Sequence, residues 1–329
     1  MTKDELCYTL SRFVCEAKKQ NGEDYPGDTL YELIISIQLS LEVDCGRQYK
    51  FLNDKAFSQL KNTLDSTMKE RAASGLSLKR RQAEVISIEE ENSLWDKGVL
   101  GTSSPQQLLD TVIYLFGINF ALRAAKEHKN LRWNNSQIQL MTDEDGRQYL
   151  RYTEDVSKAN HGGLQHRRVQ AKSVDAYENL HNPERCIVEI YRKYVSHCPV
   201  EDRPECFYLR PLNKPHCNVW YGRQPLGINK LSSVVKRICA TAGLGGHRTN
   251  HSLRATAASR LYQNNVDEQL ICETTGHRSN SVRKYKRTTA DMKRNISGVL
   301  QTGCATNIAK TTEAVGKELA PNITVNIHL

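Results

Sequence analysis

The sequence of 329 residues lacks any apolar run close to the ~20 residues that a membrane-spanning helix needs. Its first residues, Met1–Glu5, include acids and no apolar segment, which argues against a secretory signal. Internal repeats and low-complexity tracts are also absent. Hydrophobic residues make up 39% and charged residues 25%, the balance of an ordinary globular chain. We therefore expect an intracellular protein of one to three domains, with no membrane partner.

The ten cysteines form no Cys-x-x-Cys pair, so the sequence gives no sign of a zinc ribbon or a thioredoxin-type redox site. The densest group of metal-ligating types is His197-Cys198, Cys206 and His216-Cys217, and its spacing fits no established ligand pattern. We interpret these cysteines as reduced, partly buried thiols. A P-loop pattern and a carboxylate metal cluster are missing as well, and we expect no metal, nucleotide or other cofactor.

Positive charge is in excess and unevenly placed. The formal net charge is +9, and residues 278–294 alone hold seven bases against one acid, Asp291. An isolated basic run is often only the solvated face of a helix. Concentrated basic charge also fits a polyanion, because phosphates attract Lys and Arg and release counterions on binding. The charge suggests nucleic acid as a partner without establishing it.

Residues 1–78 predict a helical N-terminal domain. Apolar residues recur at helical spacing in three stretches, which begin near Leu6, Leu30 and Phe57. Amphipathic helices of this kind pack as a small bundle, in which the apolar stripe along each helix is buried against the others. The basic stretch that follows Gly75 predicts a linker, which we place at residues 79–86.

Residues 87–300 predict a second domain that is mainly α with a small antiparallel β-sheet. Ser87 and Glu90 have the spacing of a capping box, and Pro105 stands where a further helix begins. The turn residues Asp143–Gly146 predict a hairpin, and a second turn leads into a third strand at His166–Gln170.

The remainder of this domain predicts helices separated by one long loop at residues 199–225, which holds five of the nine prolines. The predicted helices are Cys186–His197, Gly227–Thr241, Ser252–Asn264, Val266–Thr275, Ser281–Arg287 and Asp291–Leu300. Residues 301–329 predict a tail with one short strand, Ile323–Ile327, which has no partner nearby in sequence.

The second domain holds residue types that suit metal-free cleavage of a DNA phosphodiester. That reaction requires a nucleophile, cations around the phosphorane and a proton donor for the leaving oxygen. Tyrosine can be the nucleophile, arginine forks bind phosphate oxygens bidentately, and His or Lys can move protons. His251 and Arg254 stand at i and i+3 on one helical face, His277 follows in a Gly-His pair, and Tyr285 lies in the basic segment.

This ordered combination resembles the C-terminal signature of tyrosine recombinases and integrases. Upstream, Phe120–His128 resembles the segment that bears the first arginine of that family, here Arg123. Ser157–Leu164 lies in the hairpin where the family carries its catalytic lysine, here Lys158. Lys172 and other bases of the hairpin remain open as alternatives for that lysine.

Within the family, the chain is similar to the eukaryotic Crypton-type branch, whose domesticated relatives include zinc-finger MYM-type and glutamine-rich nuclear proteins. The segments that carry this likeness include Leu94–Gly98, Cys206–Leu212 and His277–Ser279, and it extends from the N-terminal stretch to about Leu300. The resemblance implies a helical DNA-clamp domain followed by a tyrosine-recombinase catalytic domain.

The resemblance also implies an activity, DNA recombination or integration of a mobile element through a 3′-phosphotyrosine. The catalytic set that it implies is Arg123, Lys158, His251, Arg254, His277 and Tyr285. Tyr285 attacks the phosphate and Lys158 protonates the departing 5′ oxygen. The implied contacts to the DNA backbone are Lys79, Arg80, Arg81, Arg278, Arg283, Lys284, Lys286 and Arg287.

The partners and location implied are double-stranded DNA, a homo-oligomer (a tetramer on DNA) and the nucleus. The predicted strand of the tail is a candidate for docking on a neighbouring subunit.

One interval departs from the bacterial members of the family, which place the tyrosine nine residues after the Gly-His histidine. Here Tyr285 follows His277 by eight residues. Because one residue turns a helical side chain by ~100°, a shortening inside the Tyr285 helix would misdirect the nucleophile. A shortening in the preceding turn would not, and the Crypton-type branch shares the shorter interval.

Two other functions fit parts of the sequence. A domesticated DNA-binding or scaffold module would keep the fold without recombining. An active site that is no longer needed for catalysis should lose the tyrosine or an arginine, and this chain retains all of them. A helical module that binds acidic proteins through its basic face is the other possibility. It would not explain why the residues of the catalytic set occur together in this order.

Overall fold

The computed structural model describes residues 1–76, 83–155, 171–216, 218–277, 280–287 and 290–301. The chain divides into two compact units, Met1–Gln82 and Ala83–Leu329. Across the described residues, every helix is too short or too polar to cross a membrane. The predicted domain bounds, which set a linker at residues 79–86, stay a prediction.

The first unit is a bundle of three helices, and each of the three predicted apolar stripes lies in one of them. They are α1 (Lys3–Glu16), α2 (Gly27–Cys45) and α3 (Ser58–Ala73). A capping box between Thr2 and Glu5 begins α1. Gly27 lets α2 approach α3 closely, since a Cβ there would lie 3.1 Å from the Cα of Met68. The core is aromatic at one end, where the tilted rings of Phe51 and Phe57 have centroids 4.9 Å apart.

The second unit is mainly helical with two small antiparallel sheets, which confirms the predicted fold class. Its described helices are α4 (Ile88–Asp96), α5 (Pro105–Asn119), α6 (Ala124–Lys129), α7 (Ile187–Ser196), α8 (Ile228–Thr241), α9 (Asn250–Gln263), α10 (Glu268–Thr275) and α11 (Ala290–Leu300). Its described strands are β1 (Ile138–Thr142), β2 (Gln148–Thr153), β3 (Ser173–Tyr177), β4 (Leu209–His216) and β5 (Val219–Pro225). The predicted capping box of Ser87 and Glu90 is present at the start of α4.

The strands β1, β2 and β3 form one antiparallel sheet in sequence order. Its third strand is Ser173–Tyr177, whereas the strand predicted at His166–Gln170 falls outside the described residues. The turn predicted at Asp143–Gly146 connects β1 to β2, and the Asp143 carboxylate accepts from the backbone N–H groups of Asp145 and Arg147.

The prediction of a long loop at residues 199–225 was wrong, because β4 and β5 form a two-stranded ribbon there. The register of the ribbon shifts on both sides of Pro211, so this proline stands where the ladder is irregular. Tyr221 ties β5 to the start of α5 by donating its hydroxyl to the carbonyl of Pro105 at 2.9 Å. The ribbon therefore lies beside the N-terminal end of α5.

Helix α5 is the centre of the second unit and packs directly against α9. Both helices are buried along most of their length. They meet at Gly117, where a Cβ would lie only 2.3 Å from Cδ1 and 3.2 Å from Cβ of the fully buried Leu253. A larger residue at position 117 would push apart the helices that hold the two ends of the site described below.

We expect Gly117→Ala to destabilise the second unit by about 1–3 kcal/mol, the usual cost of an overpacked core. Thermal or urea unfolding measures this. The matched control is Gly298→Ala in α11, where a Cβ meets nothing within 4 Å and alanine favours the helix. Equal stability of the Gly117→Ala and Gly298→Ala proteins would contradict this account of the packing.

Candidate active site

The site is built around a tight turn between α5 and α6. Ala121 and Ala124 both have φ of +46°, a left-handed conformation that costs free energy for any residue with a Cβ. In this turn, two successive backbone carbonyls accept hydrogen bonds from cationic side chains. Lys172 donates its Nζ to the carbonyl of Phe120, and Arg254 donates Nη1 to that of Ala121 at 2.7 Å. Local strain at this turn thus fixes two positively charged groups side by side.

Arg123 lies in the same turn and is held from three directions. Its Nη2 donates to the carbonyl of Gly276 at 2.7 Å. Its Nη1 lies 3.4 Å from Oε1 of Glu154 and 3.5 Å from Oε1 of Glu127. Glu127 also accepts from the backbone N–H of Arg123 at 2.6 Å. The guanidinium is therefore fixed by one carbonyl and two carboxylates.

His251 and Arg254 lie on α9, as the spacing predicts. Thr249 caps the helix, so both residues fall in its first two turns. Arg254 is only 2% exposed. Burial, and next the charge of Arg123, lowers its pKa to about 10. Two guanidinium groups that repel one another, one of them almost fully buried, are a strong indication of a site for an anion.

Gly276 and His277, the Gly-His pair, have different structural roles. Gly276 ends α10 in the left-handed conformation, with φ of +66°. A Cβ at Gly276 would lie 3.1 Å from Cδ of Lys172, so glycine also leaves room for that side chain. His277 places Nδ1 2.7 Å from the hydroxyl of Thr275. Burial and the nearby cations, Arg254 first, lower the pKa of His277 to about 3, which keeps its ring neutral.

Tyr285 reaches this cluster with its hydroxyl. Its Oη lies 2.8 Å from Nε2 of His251, and its ring centroid lies 5.3 Å from that of His277. Burial lowers the pKa of His251, so this ring is mainly neutral near pH 7 and can accept the tyrosine proton. Burial raises the pKa of Tyr285, whereas Arg254 and Arg123 lower it. The tyrosine hydroxyl and a neutral imidazole nitrogen are thus in direct contact.

The segment that carries Tyr285 differs from its prediction. Residues Asn280–Tyr285 form a 3-10 turn with the tyrosine at its end, instead of a helix Ser281–Arg287. Ser259 of α9 anchors this end by donating its hydroxyl to the carbonyl of Tyr285 at 2.9 Å. The eight-residue interval therefore ends in a short turn, and the phenol contacts His251.

The structure places Lys172 with the other cations, while Lys158 lies outside the described residues. The Lys172 side chain is almost fully buried next to the turn between α5 and α6. Burial, and next Arg254, lowers its pKa to about 7, although Glu127 and Glu154 oppose this effect. An amine that titrates near neutral pH is suited to proton transfer. Lys172 was one of several alternatives in the sequence, where nothing showed which base of the hairpin turns inward.

Some of the bases predicted to contact the DNA backbone lie near Tyr285. Arg283 is exposed and pairs with Glu268 at 2.8 Å. Lys286 lies over the ring of Tyr262, and Lys284 is close enough to His277 to lower its pKa. Arg287 donates to the carbonyl of Ala83 at 3.4 Å. The four other predicted contacts, Lys79, Arg80, Arg81 and Arg278, fall outside the described residues.

The described part of the chain brings no three His, Cys, Asp or Glu side chains together in a metal-binding arrangement. This includes His197, Cys198, Cys206 and His216, while Cys217 lies outside it. His197 instead stacks on Trp220 with ring centroids 3.9 Å apart. Burial raises the pKa of Cys198 to about 11, which leaves it a protonated thiol near neutral pH.

Comparison with known families gives two matches. A family described as "Domain of unknown function (DUF3504)" matches residues 85–240, and the QRICH1 domain matches residues 1–71. Zinc finger MYM-type protein 3 of Homo sapiens is 30% identical over 249 residues, which cover 72% of this chain and 18% of that protein. Transcriptional regulator QRICH1 of Homo sapiens is 27% identical over 246 residues, which cover 71% of this chain and 30% of that protein. The chain thus spans less than a third of either relative.

Among solved structures, the chain is similar to the XerH site-specific recombinase bound to palindromic difH substrate in a post-cleavage complex. The sequence identity is 17% and the TM-score 0.46, over 90% of this chain and 77% of that one. The similarity to zinc finger MYM-type proteins and to glutamine-rich nuclear proteins that the motifs predict is confirmed by the sequence matches to zinc finger MYM-type protein 3 and QRICH1.

Proposed function

We propose that this chain is a site-specific tyrosine recombinase that cleaves and rejoins double-stranded DNA through a 3′-phosphotyrosine. The observation that carries the proposal is the contact between Tyr285 Oη and His251 Nε2, made beside the buried guanidinium of Arg254 and the partly exposed guanidinium of Arg123. A merely structural tyrosine would not explain why the guanidinium of Arg254 is buried next to the charge of Arg123. The same geometry supplies a nucleophile, a base and a phosphate clamp.

In the proposed reaction, Tyr285 Oη forms a bond to phosphorus and its proton passes to Nε2 of His251. Arg123 and Arg254 bind the nonbridging oxygens, whose charge grows in the transition state. His277, held neutral, can donate a hydrogen bond to the same phosphate. The bond from phosphorus to the 5′ oxygen breaks, and that oxygen takes a proton from Nζ of Lys172. A 5′ hydroxyl from a partner strand reverses each transfer and restores the phosphodiester.

We assign the proton donor to Lys172 in preference to Lys158, because Lys172 lies buried among the other cations. We expect Lys172→Met to slow adduct formation by roughly 10²–10⁴-fold on ordinary DNA. Sulfur in place of the 5′ bridging oxygen should restore most of the rate, because a thiolate leaves without being protonated.

The control for this assignment is Lys158→Met, assayed on both substrates by gel separation of the covalent protein–DNA adduct. It should keep its rate on ordinary DNA. The opposite pattern, with Lys158→Met slow and rescued by sulfur, would reassign the donor to Lys158.

DNA affinity is proposed to come mainly from the second unit. Residues 1–76 carry ten Lys and Arg against twelve Asp and Glu, so this bundle is not itself a basic surface. The bases that follow Val282 give the second unit a positive region beside Tyr285. Contacts of this kind bind phosphate and supply affinity without sequence choice.

We expect Lys284→Gln combined with Lys286→Gln to reduce the slope of log affinity against log salt by up to about 0.9 per lost phosphate contact. Fluorescence anisotropy at several salt concentrations measures the slope. Lys214→Gln is the control, because Lys214 is exposed on the ribbon beside the end of α5 opposite the site. An unchanged slope in the double variant would show that Lys284 and Lys286 do not contact DNA phosphates.

A tetramer on DNA and a nuclear location remain parts of the proposal. Helix α11 supports an oligomer, since Ile296, Val299 and Leu300 lie on one face and are more than half exposed. A second copy would bury this face, and the tail of residues 301–329 is a candidate to do so as well. Ile296→Asp is expected to lower the mass of the DNA-bound assembly in light scattering.

A second candidate is a DNA-binding module of a nuclear regulator that no longer cuts. The similarity to QRICH1, a transcriptional regulator, favours this possibility. Such a module would bind DNA with the expected salt dependence and form no covalent adduct. A module that no longer cuts would not explain the contact between Tyr285 and His251, on which the catalytic proposal depends.

A further inference from the structure

We propose that Glu154 is a positioning residue of this site, which holds Arg123 and Lys172 in their working arrangement before a phosphate arrives. The proposal deepens the proposed function and rests on it. No motif in the sequence points to Glu154, which follows directly after β2.

The backbone of Glu154 is fixed to that of Lys172. Its N–H donates to the carbonyl of Lys172 at 2.8 Å. This bond extends the ladder between β2 and β3 beyond its last paired residues, Thr153 and Ser173. The position of Glu154 along the sheet is therefore set by the residue that carries the proposed proton donor.

The side chain of Glu154 turns into the site. It is only 5% exposed, and its Oε1 lies 3.4 Å from Nη1 of Arg123. A carboxylate this buried is costly unless cations compensate it. One residue thus joins the strand that carries Lys172 to the guanidinium of Arg123.

Glu127, the second carboxylate on Arg123, has a different local role. It lies four residues along the same short helix, α6, and accepts the backbone N–H of Arg123. Its contacts therefore stabilise the start of that helix as well as the guanidinium. Glu154 has no such local contact with the Arg123 backbone in the described residues, which makes it the cleaner position to test.

The surrounding charges show what Glu154 balances. Arg123 and Arg254 repel the ammonium of Lys172, and His277 lies in the same field, whereas Glu127 and Glu154 attract it. Among the described residues, Glu127 and Glu154 are the carboxylates that act on Lys172. Removal of one should leave Lys172 deprotonated over more of the neutral range and let the Arg123 guanidinium turn.

The test is Glu154→Gln, which keeps the shape and removes the charge. Adduct formation is measured against pH on ordinary DNA and on DNA with the 5′ bridging sulfur. Because protonated Lys172 is the active form, the rate falls as pH rises through its pKa. The variant should move this fall to lower pH, so that the loss on ordinary DNA grows to about tenfold or more above neutral pH. On the sulfur substrate the loss should be smaller and independent of pH.

A second readout does not need cleavage. Isotope-labelled lysine, assigned with Lys172→Met, gives the titration of Lys172 by NMR in the free protein. We expect Glu154→Gln to shift that titration to lower pH and Glu154→Asp to shift it less. If Glu154→Gln fails to fold, the Asp variant carries the test in the same direction.

The outcomes separate the two proposals. A wild-type protein that forms no adduct but shows the shifted titration overturns the proposed function and keeps the role of Glu154. An unchanged titration, or an equal loss of rate at every pH on both substrates, overturns the role of Glu154 and leaves the proposed function standing.

Discussion

Tyr285→Phe is expected to lower covalent adduct formation on DNA by roughly 10⁴-fold or more, since phenylalanine lacks the proposed attacking oxygen. Tyr285 packs against the small apolar cluster that contains Ala258, Ile271 and Val282, and phenylalanine preserves this packing. Within the described residues, the hydroxyl forms its hydrogen bond with His251. We therefore expect the stability and the DNA affinity of the variant to stay close to those of the wild type.

The matched control is Tyr262→Phe, which removes a hydroxyl from the same small cluster. Tyr262 donates to Glu268 at 3.1 Å and lies on α9, two turns beyond Arg254. Its loss should leave adduct formation within a few fold of wild type. Adducts are separated on a denaturing gel. An adduct formed by the Tyr285→Phe protein would contradict the assignment of Tyr285 as the nucleophile.

Arg254→Lys is expected to slow adduct formation by roughly 10²–10³-fold, which is the usual loss when one preorganised donor to the transition state is removed. Lysine keeps the charge but cannot bind two phosphate oxygens with a planar fork. It also cannot donate to the carbonyl of Ala121 and face a phosphate in the same geometry. The loss should appear in the rate at saturating DNA, with little change in affinity.

Arg151→Lys serves as the control for charge-conserving replacement. Arg151 lies on β2, partly exposed, and pairs with Asp175 of β3 at 2.7 Å. The substitution should leave both rate and affinity unchanged. Arg254→Lys with a rate close to wild type would show that the buried guanidinium has a structural role only.

Much of the site can be predicted from the sequence because its residues come from local patterns. His251 and Arg254 share a helical face by their spacing, and the structure keeps them on α9. Gly276 is predictable as a helix end, since only glycine adopts the left-handed conformation there without strain. Tyr285 is predictable only within the ordered set, because 14 tyrosines were available.

The rest of the site depends on tertiary contacts that leave no local pattern. Lys172 and Glu154 come together by the pairing of two strands, and nothing in either stretch shows which side chain turns inward. The positive φ of Ala121 is likewise imposed by packing, since alanine does not indicate a left-handed turn. The ribbon of β4 and β5 was missed because its prolines favour a loop when the register shifts around them are unknown.

The central claim is tested most directly by a nicked suicide duplex with randomised sequence at the cleavage position. The protein is incubated with this pool, and covalent adducts are isolated under denaturing conditions. Sequencing then gives the preferred DNA, and mass spectrometry of the digested adduct gives the attached residue. We predict a DNA 3′ phosphate on Tyr285. Salt-sensitive binding without an adduct anywhere in the pool, or attachment to another residue, would contradict the account.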